Sequence, residues 1–499
     1  MLLTDPTKPV VRTPTEARFT AWSRAVFSFP VMLAALFAVL AVLTVRARLN
    51  DPDLWVHLKV GEIIWNTHTI PTTDLYSFTT NNHAWLAHEW LAQVVIYGAW
   101  KAGGYSGLML WLCVLTSLLL ITSYALCSLY SGNAKVAFLG GLTTWGFATV
   151  GLTVRPQMAG YLLLTGTLLF IHLGRSGDRR WFLLLPPVFA VWVNCHGSFM
   201  FGLMVLAVFL VCSFLGFRAG SLVSIPWEKP RRNTLALAIA LSIAALLVNP
   251  AGVQPVISPL DVMFNQSTAL AAIDEWKPLT FDNGRDLAFL AVTGVIFLLI
   301  LVRRTELRLD ELVLFALGFA MAIRHTRMLF VFGIVAAPIL CRLLADTWDN
   351  YELARDRRAP NLVMILLAAS AAIFGFPKAS DLAQQVNRGN PVKAVDFMRS
   401  TGLSGRMLND YGYGLYLIWA APEYKVFVDG RAELYDGTGI LKEYGDWAML
   451  RQDPKVLLEK YKIDFCLISR TAPMARVFPY LPGWKMVYSD DTSVIYTRL

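Results

Sequence analysis

Apolar residues in this chain come in blocks separated by short polar runs. The blocks cover residues 27–45, 106–130, 135–153, 157–174, 181–195, 198–217, 233–249, 286–302, 309–323, 328–345 and 361–376. A helix needs about 20 apolar residues to cross a bilayer, so the pattern predicts about eleven spans, several of them short. Two stretches between the first and second blocks repeat apolar residues at helical rather than continuous spacing. These are 53–67 (DLWVHLKVGEIIWNT) and 84–101 (AWLAHEWLAQVVIYGAWK), with IPTTD at 70–74 breaking the pattern between them. Trp55, Trp65, Trp85, Trp90 and Trp100 suit amphipathic helices at a membrane surface. After 376 the pattern changes. Residues 406–499 mix a helical run (DPKVLLEKY, 453–461) with strand-like runs: KVFVDG (425–430), IDFCLIS (463–469) and SVIYTR (493–498). The expected fold class is mainly α. It comprises a polytopic helical domain over 1–376, whose first outer loop carries two interfacial helices, and a small C-terminal α/β domain over 377–499.

Composition supports this reading. Of 499 residues, 56% are hydrophobic and 16% charged, against roughly 25% charged in soluble domains. The net charge of +9 does not indicate nucleic-acid binding, because the basic residues sit in alternate loops. They are Lys8, Arg12, Arg18 and Arg24; Lys135; Arg175, Arg179 and Arg180; Arg218, Lys229, Arg231 and Arg232; Arg303, Arg304 and Arg308; and Arg355, Arg357 and Arg358. By the positive-inside bias these loops and the N-terminus are cytoplasmic. The loops 47–105 and 250–285 and everything from 377 are then extracytoplasmic. The first block runs on without a small-residue cleavage site and reads as a retained anchor. Five of the six cysteines lie in or beside apolar blocks, and no spacing among them suggests zinc.

Charges near hydrocarbon are rare without a reason. Asp51, Asp53, His57, His88, Glu89, Arg155, His196, Glu275, Arg324, His325 and Arg327 all fall at block ends on the outer side. Eleven such residues on one face predict one polar cavity opening there. Asp51-Pro52-Asp53 offers a base or a cation ligand, or else simply a turn and a helix N-cap. His57 lies one turn beyond Asp53. His88-Glu89 is either a solvated helix start or part of the same loop's acid/base set. Arg155 can snorkel, and His196 in WVNCHG can be a packing group. Arg324-His325-Thr326-Arg327 places three cationic groups where positive-inside bias would not, and phosphate recognition accounts for them well. Asp51, Asp53, His57, His88 and Glu89 also offer oxygen and nitrogen ligands to a divalent cation such as Mg or Mn near the acidic pair, at no diagnostic spacing. Neither G-x-G-x-x-G nor a Walker sequence is present, and YGYG (411–414) reads as a turn or helix start.

With NDPDLWVHL just after the first span, the arrangement resembles the GT-C superfamily of integral-membrane glycosyltransferases. The runs RPQ, WVNCHG, RHTR and VFVDGRAELYD look like those of bacterial multi-span proteins grouped with it. The resemblance implies a polyprenyl-phosphate or diphosphate sugar donor and an acceptor that is a lipid, glycan or protein. It implies that Asp53 or Asp51 deprotonates or orients the acceptor, and that Arg324, Arg327 and Arg155 offset charge on the leaving phosphate. It also implies residence in a bacterial inner membrane. A lipid transporter or flippase, or a non-catalytic membrane assembly protein, is the alternative. A transporter should show repeats and charges towards both faces, whereas here they favour one.

Overall fold

The computed structural model describes residues 24–257, 274–303, 305–349, 351–352, 355–435 and 437–499. It is mainly helical. The chain runs through α1 (Phe29–Val45), α2 (Leu54–Thr67), α3 (Trp90–Ser131), α4 (Ala134–Ala148), α5 (Gln157–Ser176) and α6 (Leu185–Val193). It continues through α7 (Phe199–Cys212), α8 (Lys229–Ala245), α9 (Gly284–Arg303), α10 (Leu309–Arg324), α11 (Leu329–Leu343) and α12 (Arg358–Gly375). Every apolar block thus contains a helix. Among the described residues, five helices are long and apolar enough to cross a membrane by length and composition. These are α3, α5, α9, α11 with its preceding turn, and α12; α1 and α7 are apolar but shorter. Lys8, Arg12, Arg18, Arg304 and the middle of the second outer loop, 258–273, lie outside the described residues.

The helix expected over 53–67 is present as α2. The second begins at Trp90 rather than Ala84 and fuses with the following block into the 42-residue α3. Residues 84–89 are held out of the helix because Trp85 N–H bonds Thr72 and Ala84 bridges Thr73. The fusion is bent at Gly103-Gly104, where Gly104 takes φ 56° and ψ −137°, a combination open to glycine alone. Helix α2 lies close on α3. A Cβ on Gly61 would come 2.3 Å from Gln93 O and 2.6 Å from Tyr97 Cβ.

On the basic-loop side, β1 (Phe217–Ala219), β2 (Leu222–Ser224) and β3 (Leu307–Arg308) form a small sheet that the pattern did not foretell. The C-terminal region opens with α13 (Ala379–Gly389) and α14 (Val392–Thr401). It then builds one sheet from β4 (Met407–Asn409), β5 (Phe465–Ser469), β6 (Trp484–Ser489) and β7 (Ser493–Arg498) in the order β4-β5-β7-β6. The β4–β5 pair is parallel; the other two are antiparallel. Helices α15 (Tyr411–Ala420), α16 (Ala432–Tyr435), α17 (Ile440–Ala448), α18 (Pro454–Lys460) and α19 (Pro473–Val477) accompany the sheet. IDFCLIS and SVIYTR supply β5 and β7, and DPKVLLEKY supplies α18, whose Asp453 caps Lys455 N–H.

KVFVDG is not a strand. Asn409 takes the place of a ladder: its Oδ1 accepts from Phe427 N–H at 2.7 Å and its Nδ2 donates to Val428 O at 2.7 Å. This segment instead lies against the first outer loop, with Ser77 and Val426 forming one bridge. The main hydrophobic core passes without a break from the helices into the tail, and includes Leu49, Trp55, Leu415 and Phe465. Trp55 is fully buried against Tyr416, with ring centroids 5.0 Å apart. Burial of such a side chain contributes roughly 1.5–3 kcal/mol. The loop 47–105 and the tail therefore share one face of the molecule.

Candidate active site

The acidic pair stands where α1 gives way to α2. The turn is braced by α13: Gln385 bonds Leu49 N–H and Arg46 O, and Gly389 approaches so closely that a Cβ would lie 1.9 Å from Asn50 Oδ1. Asp51 Oδ1 accepts from Asp53 N–H at 3.0 Å, a local turn that starts α2. Asp53 occupies the N-cap position but its side chain makes no cap bond. Its carboxylate turns instead towards Arg155.

Arg155, in the turn before α5, ties the site together. Its Nε meets Asp51 Oδ2 at 2.7 Å, and its Nη1 meets Asp53 Oδ2 at 3.2 Å and Glu275 Oε1 at 3.6 Å. The other oxygen of Glu275 lies 3.9 Å from Arg327 Nη1, and Arg327 Nη2 donates to Gln157 Oε1 at 2.8 Å. The chain of charge is thus Asp51/Asp53–Arg155–Glu275–Arg327. The Asp51 side chain is 5% exposed and that of Asp53 is 36%. Burial raises the pKa of Asp53 above 3.8, Asp51 adds to the rise, and Arg155 and Arg327 oppose it. Burial works against the charge on Arg155, but Asp53 and Asp51 outweigh it and its pKa is raised.

The RHTR run divides. His325 Nδ1 contacts Trp276 O at 2.7 Å, and Thr326 N–H bonds Lys277 O, so this turn is stitched to the 274–277 segment. Arg327 faces inward, 5.8 Å from the Trp276 ring. Arg324, at the end of α10, is exposed and stands apart from the cluster.

A second group gathers around Glu89. His57 Nδ1, His88 Nε2 and His196 Nε2 lie 3.9, 3.9 and 3.7 Å from its carboxylate oxygens. Asn194 holds the α6–α7 turn against the start of α3 by bonds with Trp90 and Leu91, which brings His196 opposite Glu89. Burial lowers the pKa of His57 and lowers that of His196 well below 6.5.

The tail adds residues that the sequence reading did not single out. A Cβ on Gly430 would lie 3.7 Å from Asp53 Oδ1, so the VDGR turn forms one wall beside Asp53. That turn is fixed by Arg431, which bonds Asp74 of the first loop at 2.8 Å and Asp429 at 2.7 Å, while Tyr435 donates to Asp429 at 2.7 Å. All four residues are buried. The signal available was the density of charge in VFVDGRAELYD.

Both oxygens of Asp51 are taken by Arg155 and Asp53 N–H, and one oxygen of Asp53 by Arg155. Among the described residues no three His, Cys, Asp or Glu side chains are placed to hold a metal ion. The Mg or Mn considered from the sequence does not fit this arrangement unless Arg155 moves.

No family model and no curated protein matches the sequence. Solved structures match over nearly the whole chain. The oligosaccharyltransferase of Archaeoglobus fulgidus, tethered to an acceptor peptide containing the NVT sequon, matches with a TM-score of 0.55 and 13% identity. The match covers 95% of this chain and 75% of that one. The same organism's AglB, in complex with an inhibitory peptide and a dolichol-phosphate, gives 0.54 and 11%, covering 96% and 74%. ArnT from Cupriavidus metallidurans, bound to undecaprenyl phosphate, gives 0.50 and 13%, covering 97% and 98%. At 11–13% identity the likeness is one of fold: the chain shares the fold of these structures over nearly its whole length. With five helices among the described residues long and apolar enough to cross a bilayer, it is an integral membrane protein.

Proposed function

We propose that this protein is a glycosyltransferase that moves a sugar from a polyprenyl-phosphate or diphosphate carrier to an acceptor at the extracytoplasmic face. Eleven spans, a cytoplasmic N-terminus, an outer tail and a bacterial inner membrane complete the proposal. The distribution of Lys and Arg among the loops supports that topology. Direct contact between Asp74 and Arg431 supports a shared side for the first loop and the tail.

The observation that carries the mechanism is the asymmetry of the acidic pair. Asp51 is buried with both oxygens engaged, so it orients Arg155. Asp53 keeps one oxygen that Arg155 does not hold, on a side chain 36% exposed, and a raised pKa, which suits a general base. Asp53 takes the proton of the acceptor nucleophile. The nucleophile attacks the anomeric carbon, the bond to the phosphate oxygen breaks, and the lipid phosphate departs. Arg327 and Arg155 receive its negative charge, the geometry in which a guanidinium is most effective. The longest link in the charge chain, Glu275 to Arg327 at 3.9 Å, is the one that yields to a phosphate.

The test follows purified protein in lipid nanodiscs given undecaprenyl-phosphate sugars and an envelope extract as acceptor. Mass spectrometry should show bare lipid phosphate and a glycosylated product. Donor left intact, together with movement of a labelled lipid between leaflets in vesicles, would replace this reading with transport.

A further inference from the structure

We propose that His57, His88, Glu89 and His196, with Gln93 behind them, form the subsite that takes the hydroxyl groups of the transferred sugar. This rests on the glycosyl-transfer reading and specifies its substrate contacts. The three ring nitrogens surround one carboxylate at 3.7–3.9 Å. That is too long for direct hydrogen bonds but short enough for one hydroxyl oxygen to reach both sides.

The hydrogen-bonding roles match a hydroxyl. His196 Nδ1 accepts from Ser198 N–H at 3.1 Å, so in the neutral ring its proton is on Nε2, directed at Glu89 Oε1. His88 Nδ1 faces Leu86 O at 3.4 Å, so its Nε2 is an acceptor that also faces Glu89. A donor and two acceptors thus converge. A hydroxyl that accepts from His196 and donates to Glu89 or His88 satisfies such a set.

An independent observation points the same way. Gln93 is 3% exposed, and its Nε2 lies 3.3 Å from His57 Nδ1, while its Oε1 has no hydrogen-bond partner among the described residues. Turning the carboxamide over only exchanges which atom is unpaired. An unpaired buried polar atom is unfavourable, and it lies at the edge of this cluster.

The carboxylate of Glu89 repels phosphate, so the lipid phosphate belongs on the Arg155–Arg327 side. The two subsites adjoin. Asp53 and His57 are one turn apart on α2, linked by His57 N–H to Asp53 O at 3.3 Å. A sugar on the histidines therefore presents its anomeric carbon between Asp53 and the guanidinium pair.

The probes are undecaprenyl phosphate and a panel of its hexose and pentose esters, with binding to the full-length protein measured by titration. Wild type should bind at least one ester more tightly than the bare lipid phosphate. Glu89→Gln and His196→Asn should remove about ten- to a hundred-fold of that gain, as expected for hydrogen bonds to a charged group. Both variants should keep the wild-type Tm and affinity for the bare lipid. The proposal is overturned if no ester gains over the bare phosphate, if the variants keep the gain, or if they lose bare-lipid affinity equally. Wild type that binds no lipid phosphate at all would overturn the glycosyl-transfer reading, and this subsite with it.

Discussion

Asp51 and Asp53 are two residues apart yet meet different surroundings, and the difference predicts their behaviour with pH. Burial raises the pKa of Asp53 above the ordinary 3.8. A base must be ionised, so the acid limb of the kcat/KM profile should fall at a pH above 3.8, and Asp53→Asn should abolish that limb. The stability sign runs the other way. A raised carboxylate pKa contributes stability fully below 3.8, and that contribution is lost as pH rises through the raised value. Asp53→Asn, which cannot ionise, should therefore melt no lower than wild type at neutral pH. Arg327 and Arg324 separate similarly. Arg327→Ala should weaken lipid-phosphate binding by about ten-fold or more, the scale of a charge-assisted bond. Arg324→Ala should leave it within about two-fold, because its side chain is exposed and makes no ion pair among the described residues, and such surface changes have small effects. Titration with undecaprenyl phosphate measures both. The sequence identified these residues because charge beside hydrocarbon stands out in any pattern. It did not settle which arginine pairs with which carboxylate. Arg155 lies 104 residues from Asp51, and only folding decides that it holds Asp51 while Arg324 faces outward.

At the scale of elements, apolar blocks were legible as helices because hydrophobic pattern and helix length agree. The exceptions have identifiable causes. The helix expected over 84–101 starts at Trp90 because Trp85 N–H bonds Thr72 O and Asp74 N–H bonds His83 O, which pairs residues 83–85 with 72–74. KVFVDG has strand composition, but its backbone bonds the Asn409 side chain and Tyr76 and Phe78 of the first loop rather than a strand ladder. The turn that follows is the clamp between tail and first loop. Arg431→Ala would leave Asp74 and Asp429 buried without their cation. Loss of one partner of a buried pair destabilises by about 3–5 kcal/mol. Arg431→Lys should recover only part of this, because one ammonium cannot reproduce the fork that bonds both carboxylates. Chemical denaturation of the detergent-solubilised protein measures the difference. Unchanged stability in Arg431→Ala would show that the tail is held by its apolar contacts alone.

For the whole molecule, charge alternation and the observed contacts lead to one arrangement, in which the acidic pair, the histidines, Arg327 and the tail share a face. The sequence led to the expectation of one shared face but not to the enclosure: the VDGR turn beside Asp53 comes from a segment more than 300 residues downstream, and periodicity carries no information about such contacts. All six native cysteines are buried, which gives a quiet background for labelling. A membrane-impermeant maleimide should label Ser400→Cys and His83→Cys in cells with a permeabilised outer envelope and an intact inner membrane. Labelling of either only after lysis would break the proposed topology. The central claim is narrower: Asp53 carries the proton transfer, and Asp51 positions Arg155. The measurement that tests it most directly is transfer rate beside Tm for Asp53→Asn and Asp51→Asn. The account predicts that Asp53→Asn keeps its Tm and donor affinity while turnover falls by about 10²–10⁴, the usual contribution of a general base. Asp51→Asn should lose stability, by about 3 kcal/mol if the Arg155 pair behaves as buried pairs do. Wild-type turnover in a folded Asp53→Asn protein would contradict it.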